Sequence, residues 1–366
     1  MTGMKRIEDL DVVRGFALCG IHAVNIYQQV ILPKLYPEGI GYGLAEMPDL
    51  VRYGLYERFL PIFTLLFGIS FGIFLMRAGA RTDRPRIVLA RRLLALGVVG
   101  AVHQIVHPGE VLLVYAVMGL VFLLPASFLG GVAACVSGVV VMLIGGQFIP
   151  GYGVMPGLLV LGFGLALLRV PEGLARHAGR VSIAFACFAL VALMYAWTSY
   201  EGIALPSLSL GWTSLTAQLV AVCTGLAYAT GMVLLLRTPF GPALQVALAP
   251  MGRMALTNYL MATVLLLTLA PVLGIDDLSD TAMVAVLTVG IVVVEAIWSW
   301  LWLARFRYGP AEWGWRCLTW RERVPMRRGR PVDGVGRGQK GGGSSVSSAR
   351  NVAGEAGEAG VPGEPL

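Results

Sequence analysis

Two imidazoles and a carboxylate stand close together in the segment GAVHQIVHPGEVLLVYAVMG, where His103 and His107 are one helical turn apart, Pro108–Gly109 breaks the chain and Glu110 follows. An imidazole titrates near neutral pH, and a carboxylate beside it orients the ring and stabilises its charged form, so this turn of two imidazoles and a carboxylate is suited to general acid–base work. The plainer reading is a polar turn whose carboxylate complements the dipole of the following helix. A metal is not indicated, because HxxxH lacks the central glutamate of HExxH and no third ligand stands at a fixed spacing.

A second group lies in the first apolar run. Asp11 and Arg14 are three residues apart and share a helix face, where they can pair or serve as an interfacial anchor. His22 and Asn25 repeat that spacing further along, so the four residues fall along roughly one stripe. A polar stripe on a membrane helix faces protein or a water-filled cavity, or it glues helices together. Glu295, in VVVEAIWSWLW, is an intramembrane carboxylate that is protonated, paired with an arginine, or part of a proton path. Gly68 and Gly72 form a GxxxG pattern, which reads as close helix packing.

The elements that position these residues follow from composition. Of 366 residues, 57% are apolar and 13% are charged, against about 45–50% and about 25% in soluble domains. That excludes a water-soluble enzyme, and continuous apolar runs exclude an outer-membrane barrel. Runs long enough for a bilayer, about 17–25 residues, fall near 12–32, 54–76, 87–106, 111–129, 131–149, 153–169, 181–200, 213–236, 247–273 and 281–304. The fold class is therefore all-α, a polytopic transmembrane bundle of about ten helices in a lipid bilayer. With both termini cytoplasmic, 25 of the 28 Lys and Arg residues fall on the inside and only Lys34, Arg52 and Arg58 outside, as the positive-inside rule requires of a multi-pass protein of the cell membrane. The net charge of +7 is thus a topology signal and not a nucleic-acid footprint. The five cysteines are scattered, with neither a disulfide framework nor a zinc site. Residues 1–325 form the membrane bundle, and the Gly/Ser/Pro-rich stretch 326–366 reads as a disordered cytoplasmic tail.

These motifs resemble those of the DUF418 (YeiB-like) membrane proteins. RIEDLDVVRGFALCGIHAVNI is similar to the opening R-I-x-x-L-D-x-L-R-G-F-A-L-x-G-I-x-x-V-N, FLPIFTLLFGISFG to F-x-x-L-F-x-x-L-F-G-x-G-F, and GAVHQIVHPGEVLLVYAVMG to G-x-x-H…G-D-x-L-x-x-Y-A-x-x-G. GRMALTNYLM and FRYGPAEWGWRCLTW complete five ordered motifs over about residues 6–320. Glu110 stands where most members carry Asp and one residue closer to the histidine than usual, His22 where the family is aliphatic, and Trp320 where it has Tyr.

The Leu10-Asp11-Val12-Val13-Arg14-Gly15 opening also resembles that of transmembrane acyltransferases such as heparan-α-glucosaminide N-acetyltransferase. The resemblance implies transfer of an acyl group from cytoplasmic acyl-CoA to an acceptor at the outer face. His103 would be the base, Glu110 its orienting partner, Asp11 and Arg14 would lie at the acyl-CoA entry, and cytoplasmic arginines would hold the CoA phosphates. The alternative is a transporter or export accessory protein for a lipid or small metabolite, with Glu295 and the stripe on the first helix lining its path; a third is a scaffold without activity. A continuous cavity from the cytoplasmic face of the first helix to His103 favours the enzyme, and a solid bundle the scaffold.

Overall fold

The structure is a computed structural model that describes residues 7–38, 46–149, 151–174, 176–203 and 214–328. The chain divides into two units, residues 1–328 and 329–366. The whole second unit lies outside the described residues, and with it nearly all of the expected tail.

Every regular element among the described residues is helical: α1 Glu8–Leu35, α2 Phe59–Gly79, α3 Pro85–His103, α4 Val111–Ala126, α5 Gly131–Phe148, α6 Met155–Leu167, α7 Ala178–Tyr200, α8 Leu215–Leu235, α9 Gly241–Arg253, α10 Ala255–Val272, α11 Thr281–Arg305 and α12 Pro310–Trp320. Among the described residues, seven segments are long and apolar enough to cross a membrane: α1, the turn Leu50–Leu55 together with α2, α5, α7, α8, α10 and α11. The expected spans 87–106, 111–129 and 153–169 do not meet that measure. Arg86, Arg91 and Arg92 charge the first half of α3, α4 is a short apolar helix, and α6 has only 13 residues, about 20 Å of rise against a hydrocarbon core of about 30 Å.

The local sequence explains where helices bend and stop. α1 and α4 each contain one widened turn, Tyr27–Ile31 and Gly119–Leu123, with Pro33 and Pro125 shortly after it. A proline ring clashes with the carbonyl four residues back and donates no hydrogen bond, and a wide turn relieves both without ending the helix. The expected span 247–273 is in fact two helices, broken at Met254 after Pro250 and Gly252. The freed N–H groups of Leu256 and Thr257 at the start of α10 are taken by the Glu312 carboxylate, at 2.7 and 3.1 Å.

Glycines let the helices cross closely. A Cβ at Gly68 would collide with the carbonyl of Leu159, and one at Gly72 would lie 2.6 Å from Ala166 Cβ. The GxxxG pattern of α2 is thus its contact with α6. Likewise Gly15 and Gly252 seat α1 against α9, with no room for a side chain at either position. These crossings put α1 at the centre of the bundle: its span is 67% buried, whereas that of α7 is 6% buried and turns Leu193, Met194 and Trp197 outward.

Candidate functional site

α1 carries one face past two cavities. Arg14, Leu18 and Ile21 line one, called inner for its place near the start of α1, and Ile21, Val24, Asn25, Gln28 and Gln29 line the other, called outer for its place further along the helix. From Arg14 to Gln29 the helix rises about 22 Å. At about 100° per residue, Asn25 returns to within about 20° of Arg14, while His22 is turned about 80° away. The expected four-residue stripe therefore splits. Arg14 and Asn25 face cavities, and His22 faces α11.

The inner cavity, about 310 Å³, collects five arginines from four separate segments: Arg14, Arg92, Arg253, Arg307 and Arg316. Arg14 is held by Asp11 at 3.1 Å, the Gly252 carbonyl at 3.2 Å and Ser70 Oγ at 2.8 Å. The Asp11–Arg14 pair expected from spacing thus forms, with Arg14 on the cavity wall and Asp11 behind it. The Arg92 guanidinium lies 3.6 Å from the centroid of the Trp315 ring, and Trp315 Nε1 donates to the Arg92 carbonyl at 2.7 Å. This cage fixes a cation at the wall while Arg92 Nε is buried with no hydrogen-bond partner. Glu312 also reaches the cavity, but its oxygens are engaged by Leu256, Thr257 and the Thr257 hydroxyl. Above the arginines the wall is apolar, with Leu18, Phe63, Phe67 and Leu96.

The outer cavity, about 370 Å³, is lined by Asn25, Gln28, Tyr56, Glu57, His107 and Tyr152, and among the described residues by no arginine or lysine. Ile21, Val111 and Tyr259 line both cavities. The two spaces lie end to end but are divided by a septum of three side chains, so the continuous cavity reaching His103 that the enzyme reading expected is not formed among the described residues.

The histidine turn sits at this septum. Gly109 adopts a φ of 79°, open to glycine at little cost, and Gln29 Nε2 donates to the Pro108 carbonyl at 3.0 Å, tying the turn to α1. Glu110 caps α4, accepting from Leu112 N at 2.7 Å and Leu113 N at 2.6 Å. Gly100 makes this possible, since a Cβ there would strike Leu113 N and come within 2.7 Å of Glu110 Oε1. Thr263 Oγ1 joins the two imidazoles, 3.0 Å from His103 Nε2 and 2.9 Å from His107 Nδ1. His103 Nδ1 lies 3.6 Å from Glu110 Oε2.

One proton arrangement fits the two hydrogen bonds of Thr263. His103 Nδ1 carries its N–H toward Glu110, at 3.6 Å and without a hydrogen bond, His103 Nε2 accepts from the Thr263 hydroxyl, and Thr263 accepts from His107 Nδ1–H. His107 Nε2 is then the lone-pair nitrogen. His103, nominated by its spacing to Glu110, lines neither cavity; the residue on the cavity wall is His107. In its turn outside the helices, His107 is held down to about 4, by burial first and then by His103, against the opposing pull of Glu110. It is a neutral base at physiological pH.

Glu295 is paired, and its partner is a histidine. Its Oε2 lies 2.9 Å from His22 Nε2, both side chains are wholly buried, and neither residue lines either cavity. Sequence reasoning passed over Arg92, Arg253, Arg307 and Arg316, which read as topology signals, and Glu57, Thr263 and Tyr259. For Tyr259 the GRMALTNYLM motif was the available signal.

A family described as "Protein of unknown function (DUF418)" matches residues 165–322, which supply α7 to α12. An uncharacterized 39.9 kDa protein in the amylase 3′ region of Bacillus acidopullulyticus is 30% identical, over 88% of this chain and 96% of its own length. The uncharacterized protein YeiB of Escherichia coli (strain K12) is 27% identical, over 88% of this chain and 98% of its own. The uncharacterized protein YxaH of Bacillus subtilis (strain 168) is 31% identical over 130 residues, about a third of each chain. No solved structure matches.

Proposed function

This chain belongs to the DUF418 family, and from that premise we propose that it is a membrane acyltransferase, taking an acyl group from cytoplasmic acyl-CoA and passing it to an acceptor at the outer face. The observation that carries this reading is the pair of end-to-end cavities of opposite electrostatic character, with a histidine chain at their septum. The inner arginines suit a polyanion. Guanidinium groups bind phosphate through paired, charge-assisted hydrogen bonds, and the phosphates of CoA match five of them better than a single carboxylate does. The apolar wall of Leu18, Phe63, Phe67 and Leu96 suits the pantetheine arm. It directs a thioester toward Ile21, Val111 and Tyr259. Both termini lie on the cytoplasmic side in this reading, with the arginines.

In the reaction, His107 Nε2 takes the proton of an acceptor hydroxyl or amine held in the outer cavity. The acceptor atom attacks the thioester carbonyl carbon, the C–S bond breaks, and the CoA thiolate leaves and receives that proton. Thr263 and His103 hold His107 in the tautomer the step needs, and Glu110 favours its charged form. The same constellation in a transporter would need Glu295 and the α1 stripe along a path. His22 and Glu295 are instead engaged with each other, away from both cavities, so that reading lacks its route.

The test is CoA binding and transfer in lipid nanodiscs. Isothermal titration should show CoA binding that weakens roughly 10-fold or more in Arg307→Gln and Arg316→Gln, the expected loss of one charge-assisted hydrogen bond. Labelled acetyl-CoA should then lose its label to a co-supplied membrane extract. An absence of CoA binding would refute the proposal.

A further inference from the structure

We propose that the outer cavity binds an uncharged, hydroxyl-rich head group, held by Glu57 and Asn25, and rejects anions. The inference deepens the acceptor role given to this cavity and rests on it.

Glu57 enters the cavity from the turn ahead of α2, and its backbone has a φ of 58°. That left-handed conformation is unfavourable for a residue with a Cβ, and such strain is held where the surrounding structure needs the side chain placed. Its carboxylate is met by the neighbouring Tyr56 hydroxyl and feels the charge of Arg58, which is outside the cavity lining, donates to the Tyr53 carbonyl at 3.2 Å and lies over the Tyr195 ring. Asn25 enters from α1, is 7% exposed, and its Nδ2 has no hydrogen-bond partner. An unmet buried amide donor is costly unless a ligand completes it.

The wall thus offers a carboxylate that only accepts, an amide N–H that only donates, and the Gln28 amide and Tyr152 hydroxyl that do both. An array of hydroxyls satisfies all of these, since each hydroxyl donates and accepts. The Tyr56, Tyr152 and Tyr259 rings offer flat apolar faces to the C–H side of a polyol. A phosphate or carboxylate head meets Glu57 and finds no cation among the lining residues. A bare ammonium satisfies Glu57 and leaves Asn25 unmet. The contrast with the inner cavity, with its five arginines, keeps the two substrates in their own compartments.

Glucose, glucose 6-phosphate, methylamine and octyl β-glucoside below its micellar concentration, titrated separately into full-length protein in nanodiscs, test the proposal through intrinsic fluorescence and thermal melting. Glucose should bind, and glucose 6-phosphate and methylamine should bind at least tenfold more weakly. Binding of octyl β-glucoside tighter than glucose marks a lipid-linked head group, and equal binding marks a free one. Glu57→Gln and Asn25→Leu, on different elements, should each weaken glucose binding about tenfold or more while CoA binding is unchanged. Preferential binding of the phosphate, glucose binding indifferent to both substitutions, or no glucose binding while CoA still binds would overturn this inference and leave the acyltransferase reading standing. Loss of CoA binding with glucose binding intact would sink the acyltransferase reading alone. If Glu57→Gln fails to fold, Asn25→Leu and Tyr152→Phe carry the same test.

Discussion

Thr263→Val removes one hydroxyl from the centre of the histidine chain and keeps the side chain's shape. Thr263 Oγ1 serves two buried imidazole nitrogens, His103 Nε2 at 3.0 Å and His107 Nδ1 at 2.9 Å. The valine leaves one donor and one acceptor unmet, at about 1–3 kcal/mol each, so the variant should lose about 2–6 kcal/mol of stability before relaxation. His107 also loses the contact that fixes its tautomer. The rate of acyl transfer should fall by about 10²–10⁴, the range for a lost general base. Thr263→Ser restores the hydroxyl and should return transfer to within several-fold of the native rate. The assay is label transfer from acetyl-CoA per folded protein, beside melting in the same nanodiscs. A valine variant with native turnover would refute the relay. A serine variant as slow as the valine one would show that Thr263 acts through its methyl group.

Three further outcomes follow from other parts of the structure. Gly100→Ala should cost about 1–3 kcal/mol of stability by overpacking, because its Cβ meets Leu113 N and Glu110; Gly290→Ala, with nothing within 4 Å, should match or slightly exceed the native melting temperature through helix propensity. His107 is depressed to about 4, so the acid limb of transfer should lie near pH 4 and not near 6.5; a depressed pKa also means that the stability contributed by neutral His107 is present above about 6.5 and lost as pH falls toward 4, and His107→Gln should flatten that part of the melting profile. Ile105→Cys, exposed in the histidine turn, should react with a membrane-impermeant thiol reagent in intact cells while Arg84→Cys should not; the reverse pattern would invert the topology.

What the sequence made legible was set by distance along the chain. Asp11 and Arg14 pair because three residues on a helix bring their side chains together, which needs no tertiary knowledge. The proximity of Glu110 to His103 came from the same local logic. The His22–Glu295 pair spans 273 positions, and no periodicity connects them, so His22 read as stripe and Glu295 as an isolated carboxylate. The arginines are a sharper case. Each one obeys the positive-inside rule, and that rule explains each so well alone that their convergence on one cavity stays hidden. Hydropathy ran through Met254 because Pro250 and Gly252 do not interrupt an apolar run, and the Glu312 carboxylate that takes the freed N–H groups lies more than fifty residues later. The four-residue spacing of His103 and His107 placed both on one face. The helix instead ends at His103, and the fold alone shows that the His107 ring is the one that meets the outer cavity.

The face of α1 that lines both cavities carries the chemistry in order. Arg14 comes first, then Leu18 and Ile21, then Asn25 and Gln28, at alternating steps of four and three residues that keep one side of a helix in view. Read outward, that is a cation, an apolar stretch, and amides. A thioester of CoA presents the same order: phosphates, a mostly apolar arm, a carbonyl, and beyond it the acceptor. The order also explains why His22 departs from the stripe without harm. A titratable group between Leu18 and Asn25 on the cavity face would place a polar side chain where the septum must exclude water from the thioester. Turned about 80° away, it pairs with Glu295 instead, and Ile21 is left to hold the divide.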